Sequence, residues 1–244
     1  ISIENDFFEH ATRVYVNLGW ITLQQRNLQV AEEYFSKGLD YGNEKDIYIF
    51  SLCLAGHYAK TKLYFGLWDE GVELANYVLK QKNIPLANTI MPLNVLAVIR
   101  MRRNDPGALK IINEAVEMAL NMGEMEKIVS VAAAKAEYFW LQNKLDDFSD
   151  ELILIYSKVI NQNNPWAIGE IAYWLWKADR LIEIPKIIAK PYLLQIQGKW
   201  KEASDVWEEL HCPYEKALAL SEGDEDAMKK SIEIFEKLGA SATV

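Results

Sequence analysis

Three histidines, two cysteines and several acid clusters are the side chains from which this sequence could build a reactive centre. Only His211-Cys212 sets two metal-ligand types side by side. Adjacent residues on a helix diverge by about 100 degrees, and no Cys-x-x-Cys or His-Glu-x-x-His spacing supplies the further ligands that zinc needs. No metal site is expected, and Cys212 before Pro213 reads as a helix end packed into the core. Asp69-Glu70, Asp146-Asp147 and Asp224-Glu225-Asp226 bring carboxylates together, as acid–base work across a cleft would require. All three clusters fall at expected helix starts, where carboxylates satisfy free amides and the positive dipole end. A Gly-x-Ser-x-Gly elbow and a Gly-x-x-x-x-Gly-Lys-Ser/Thr phosphate loop are both absent. The expectation is a non-enzyme with no catalytic residue and no cofactor.

Composition bounds the partners. The chain has 244 residues, half apolar and a quarter charged, with 12 Gly and 7 Pro, which is the profile of a folded protein. Its formal charge of -9 opposes a nucleic-acid partner, because such affinity rests on Lys and Arg displacing counterions from phosphates. An RNA-reading helical repeat is disfavoured for the same reason. Arg100, Arg102 and Arg103 form the dense basic cluster, and they end a helical segment, where cations meet the negative dipole end. Two cysteines suit a reducing, cytoplasmic compartment. Apolar runs such as 129–134 and 168–176 stop well short of the roughly 18 residues of a membrane span, so no membrane contact is expected. The start at Ile1, without a basic leader, reads as a cut from something longer rather than a signal peptide.

The elements that must position these residues are helices. Segments 12–25, 30–39, 93–103 and 108–122 carry apolar residues at three- and four-residue spacing, and no sustained two-residue alternation appears. Turn clusters at 41–43, 82–85, 121–123 and 161–165 mark units of about 40 residues, and shorter turns at 25–27, 66–69, 104–107 and 143–146 split each unit in two. Asp105 before Pro106 predicts a helix start at that proline. Small residues recur at Gly19, Ala59, Ala97 and Ala136 in the first helices. Second helices carry Ala31-Phe35-Gly38, Gly71-Ala75-Val78, Ala108-Ile112-Ala115 and Phe148-Leu152-Ile155, each set on one face. The expected fold is all-α: a right-handed α-solenoid of helical hairpins, with four helix pairs over 1–163. Residues 164–244 hold five of the eight tryptophans and read as a C-terminal helical cap continuous with the array. Its final stretch, 201–244, carries 11 acids and 5 bases and should be well solvated.

Leu18-Gly19, Ala31, Phe35 and Gly38 sit at the spacing of the tetratricopeptide repeat, and this part of the chain resembles that family. Tyr15 and Thr22 stand at its tryptophan-type and tyrosine-type positions, and later units keep only the small residues. A HEAT-like or otherwise irregular α-solenoid is the alternative. Roughly residues 91 to 244 resemble the helical region of LuxR-type large ATP-binding transcription regulators. That likeness rests on Asn104-Asp105-Pro106-Gly107-Ala108, Asn164-Pro165-Trp166, the run 169–176, Gly198-Lys199-Trp200 and Cys212-Pro213-Tyr214-Glu215. Such regulators join a nucleotide-binding domain, a helical sensor and a helix-turn-helix in one chain. The resemblance implies a sensor that binds an effector or partner for signal transduction, with the other two domains in the parent chain. A free-standing tetratricopeptide adaptor for protein–protein assembly is the alternative.

Carrying over the groove positions of the tetratricopeptide pattern gives Arg13, Trp20 and Gln24 in the first unit, and Lys60 and Tyr64 in the second. Asn94, Met101 and Arg102 follow in the third, Glu137 and Trp140 in the fourth. These ten describe a mixed aromatic and polar groove for a peptide or small effector. Trp174 and Trp176 read as core, with one of them a candidate for exposure because only Trp176 shares a stripe with Tyr173.

Overall fold

A computed structural model describes residues 7–243, and among them every regular element is helical: thirteen α-helices and one 3-10 turn, with no strand. No helix among these residues is long and apolar enough to cross a membrane. The chain divides into two compact units, 1–96 and 97–244.

In the first unit α1 (Phe8–Gln24), α2 (Leu28–Glu44), α3 (Tyr48–Tyr64) and α4 (Trp68–Leu79) follow one another, and α5 (Leu86–Arg102) begins. Each of α1 to α3 ends in the same way. A residue at positive φ, Arg26, Asp46 or Gly66, is followed by an amide that reaches back five residues. Asn27 N donates to Thr22 O, Ile47 N to Gly42 O and Leu67 N to Lys62 O, at 2.8 to 2.9 Å. This is the Schellman closure, which satisfies carbonyls left over at a helix end. The donating residue then serves as the N-cap of the next helix. The turns therefore repeat every 20 residues, and two turns make the 40-residue unit.

Packing follows the small-residue register. α1 packs on α2 and α3, and α3 on α2 and α4. Gly19, Ala59, Ala97 and Ala136 are all buried, as are the second-helix stripes except Ile155, which is half-buried. Phe35, fully buried on α2, fills the space opposite Gly19: a Cβ there would strike its ring. Burial of such a side chain stabilises by about 1.5–3 kcal/mol.

Two sequence expectations give way. The cluster 41–43 is not a turn but lies inside α2, because Gly42 is a packing residue whose Cβ would strike Ser51 Oγ on α3. Pro106 does not begin a helix: Gly107, at φ 85°, is the N-cap of α6 (Ala108–Met122), and Asp105 stands outside it.

In the second unit α6 packs on α7 (Met125–Leu141). A 3-10 turn (Leu145–Phe148) leads into α8 (Ser149–Val159), and α7 and α8 both pack on α9 (Pro165–Lys177). Helix α9 opens with proline at its first position and Asn164 Oδ1 accepting from Trp166 N and Ala167 N, both at 3.1 Å, a strong start signal. After an irregular stretch from 180 to 189 come α10 (Lys190–Ile196), α11 (Trp200–Glu209), α12 (Pro213–Leu220) and α13 (Glu225–Leu238), each packed on the one before. Asp224 caps α13 by accepting from Ala227 N at 2.9 Å, a structural role for one of the acid clusters. The compositional shift at 163/164 coincides with no break in packing, since α9 is held by helices from both sides of it.

Candidate functional site

The second unit contains a buried polar network that links its first residues to its last. At its centre Arg102, in the last turn of α5, meets Glu137 on α7 through a two-pronged contact: Nε donates to Oε1 at 2.7 Å and Nη2 to Oε2 at 3.0 Å. The guanidinium lies 3.4 Å from the centre of the Tyr214 ring, and Nη2 is 3.7 Å from Glu215 Oε1. Arg102 and Glu137 are 6% and 5% exposed. Burial alone would lower the Arg102 pKa, but Glu137, Tyr214 and Glu215 outweigh it and hold the guanidinium above its ordinary value. Burial, with Glu137, pushes the Tyr214 hydroxyl well above its ordinary value. A planar cation between a carboxylate fork and an aromatic face is an arrangement that Lys could not reproduce.

The C-terminal residues close over this centre. Ala242 N donates to Arg102 O at 3.0 Å, Ser241 Oγ to Arg103 O at 2.8 Å, and the Tyr214 hydroxyl pairs with Thr243 Oγ1 at 3.2 Å. A second centre involves Glu222, whose Oε1 takes Lys177 Nζ at 2.7 Å and the Tyr173 hydroxyl at 3.3 Å. Gln195 Nε2 lies 3.5 Å from the same oxygen, while Trp207 Nε1 donates to Gln195 Oε1 at 3.0 Å. Burial raises the Glu222 carboxyl above its ordinary value, against the pull of Lys177. Tyr173 is raised further by burial and by Glu222.

Met101 and Tyr138, the chain neighbours of Arg102 and Glu137, line a recess of about 270 Å³ together with Asp105, Gly107, Leu141 and Gln142 among others. The closing turn of α5, the start of α6 and the end of α7 form its walls. Its lining offers a thioether, an aliphatic side chain, a phenol, an amide and a carboxylate, a set that could hold a small molecule by shape and hydrogen bonds. Among the described residues no group of three or more His, Cys, Asp or Glu could hold a metal ion.

The ten groove positions come together in small groups. In the first unit Arg13 is exposed, donates from Nη2 to His10 Nδ1 at 2.9 Å and stands 5.9 Å from the Phe50 ring. Trp20 and Gln24 are half-buried, and Asn94 is buried on α5. Lys60 and Tyr64 meet, with Lys60 Nζ 5.6 Å from the ring centre. Arg26, which the sequence reading missed, lies closer to that ring, at 4.3 Å. In the second unit Met101 lines the recess, and Arg102 and Glu137 spend their charges on each other. Trp140 packs on Trp174 at 5.8 Å with Lys177 nearby. Trp174 is buried and Trp176 half-buried, so neither is exposed. Tyr173 and Trp176 share one stripe, with ring centres 5.8 Å apart.

Sequence reasoning also missed Tyr214, Glu215, Glu222 and Lys177. Tyr214 and Glu215 did stand out beside Cys212-Pro213 in the family likeness, but nothing in their spacing pointed to Arg102, more than a hundred residues earlier. No protein-family model, no curated protein and no solved structure matches the chain.

Proposed function

We propose that this chain is a non-enzymatic, cytoplasmic sensor or protein-interaction module, similar to the helical region of a LuxR-type transcription regulator and built as a right-handed solenoid of tetratricopeptide-like hairpins. The observation that carries the reading is the recess at the chain neighbours of Arg102 and Glu137, with its mixed polar and apolar lining. Met101 and Tyr138 in its wall are chain neighbours of Arg102 and Glu137, and the Arg102 carbonyl holds the C-terminal residues. An effector seated there would act on the ion pair and, through it, on the grip of the C-terminal segment. Its influence would equal its difference in affinity between the gripped and released states. The hydrogen-bonding groups of the lining, with one carboxylate, suit an uncharged, hydroxyl-rich small molecule such as a sugar.

The test is a thermal-shift and calorimetric screen of the chain against sugars, sugar phosphates and a peptide library, repeated on Tyr138→Ala and Gln142→Ala. A saturable shift that either variant abolishes supports the sensor. Equal binding by the variants, or no binding, removes the recess from the function. The adaptor reading keeps its own support in an apolar face on α1. The parent reading frame separates the two, since a regulator continues upstream into a phosphate loop and downstream into a helix-turn-helix.

A further inference from the structure

Helix α1 carries an apolar face that the other described residues leave open. Phe7, Val14, Leu18 and Ile21 are 52%, 50%, 39% and 44% exposed. Positions 14, 18 and 21 fall on one side of the helix. The buried side of α1 holds Ala11, Thr12, Gly19 and Leu23.

The 20-residue metre of the first unit supplies a measure of what this face is. α1 and α3 are both 17 residues long and both follow an N-cap in nearly the same conformation, Phe7 at φ -81°, ψ 57° and Ile47 at φ -86°, ψ 77°. An offset of 40 residues therefore equates Val14 with Leu54, Asn17 with His57, Leu18 with Tyr58, Ile21 with Thr61 and Thr22 with Lys62. On α3 these positions are covered. Leu54 and Thr61 are fully buried, and a Cβ at Gly38 of α2 would lie 3.0 Å from Leu54 Cδ2. His57 stacks on Phe35 of α2 at 5.8 Å, and Tyr58 and Lys62 both reach Glu32 of α2, at 3.3 and 2.7 Å. The face open on α1 is thus the face by which α3 receives α2.

We infer that the outer face of α1 is a docking surface for one amphipathic helix of α2's chemistry, carried by a further helix pair stacked as α2 stacks on α3. The occupant has a glycine or alanine in the place of Gly38 and a large apolar residue in the place of Phe35. It differs from α2 at one position. Leu18 and Thr22 replace the Tyr58 and Lys62 that hold Glu32, so an apolar residue, not an acid, stands in the place of Glu32. A second copy of this chain does not supply such a helix, because Leu28, Ala31, Phe35, Gly38 and Gly42 of its α2 are already buried. The inference is independent of the recess, and either can fail alone.

The test replaces residues 1–6 with a second copy of residues 7–46 joined directly to Phe7, which reproduces the Asp46–Ile47 junction, with Glu32→Leu in the appended copy. Amide exchange in α1 is expected to slow by about tenfold or more as its open face is covered. The same extension on a chain carrying Leu18→Glu and Ile21→Glu should lose that protection, while those two changes alone leave the melting temperature of the unextended chain unmoved. Unchanged exchange in the extended chain overturns the inference, as does protection that survives the two glutamates. An unextended chain that sediments as a dimer and is split by the same two changes assigns the face to a second copy and overturns it as well.

Discussion

The two units solve the same packing problem with different materials. In the first, the spacing of turns is uniform and shape does most of the work: glycines and alanines on one helix accept aromatic and aliphatic side chains from the next. Its buried charges are the cations Arg26, Lys60 and Lys62, of which Lys62 is held by Glu32 and Glu70 near the solvent edge. In the second, helix lengths fall from 17 residues in α7 to 7 in α10, and charges at the centre join segments far apart in the sequence. A regular unit can be lengthened or stacked because each layer resembles the one before. A unit tied by a buried ion pair has one arrangement in which its charges are satisfied, and an alternative arrangement must be stable in its own right. That is the property a switch requires and a spacer does not.

The largest expected effect comes from breaking the tie in the second unit. Glu137→Ala leaves Arg102 buried without its two-pronged partner and should cost about 3–5 kcal/mol, read from denaturant unfolding. The double change Arg102→Met, Glu137→Leu should recover much of that loss, because apolar groups of similar volume need no compensating charge. If the double variant is as unstable as the single one, packing around Tyr214 rather than charge carries the unit, and the contrast between the two units weakens. In the first unit the matching test is steric. Gly19→Ala gains helix propensity but drives a methyl into the Phe35 ring, and should cost about 1–3 kcal/mol net. Phe35→Leu in the same chain should recover part of it.

A smaller effect distinguishes the units by pH. Burial holds the Glu222 carboxyl above its ordinary value, so the native chain keeps that proton more tightly than the unfolded chain. A raised pKa contributes stability that is fully present below the unfolded carboxyl value and is lost as pH rises through the native one. Relative to Glu222→Gln, the unaltered chain should therefore become more stable as pH falls from neutral toward about 4. Denaturant midpoints for both chains across that range check the sign, and a difference independent of pH would mean that Lys177 cancels the burial.

Much of the first unit was legible in the sequence because its determinants are local. Gly19, Ala31, Phe35 and Gly38 each sit within a turn or two of the residues that define their helix, and all four are buried. Where the pattern misleads, one residue type has two uses: glycine marks turns, yet Gly42 is a contact residue in mid-helix. The second unit was less legible because Arg102, Glu137, Tyr214 and Thr243 become neighbours only when the chain has folded. Spacing can place Glu137 on a helix, but it does not say that the charge facing it is Arg102. The recess is illegible for the same reason, since its walls come from segments around 101–109 and 138–142 that meet only in the fold.

The smallest expected effect tests the turns that set the metre. Arg26, Asp46 and Gly66 occupy the same place in three successive turns, at φ 58°, 56° and 76°. Left-handed backbone costs a residue with a Cβ roughly 1–2 kcal/mol, and glycine escapes that cost. Arg26 offsets it by laying its guanidinium on Tyr64 at 4.3 Å, a contact worth about 0.5–2 kcal/mol. Arg26→Gly removes both terms and should change stability by less than about 1 kcal/mol. Arg26→Ala keeps the strain and loses the contact, so it should be the worse of the two by about 1 kcal/mol. If Arg26→Gly instead proves as harmful as Arg26→Ala, the cation on Tyr64 rather than the turn geometry holds α1 in register with α3. The regular unit would then depend on a specific charge contact in the way the irregular one does.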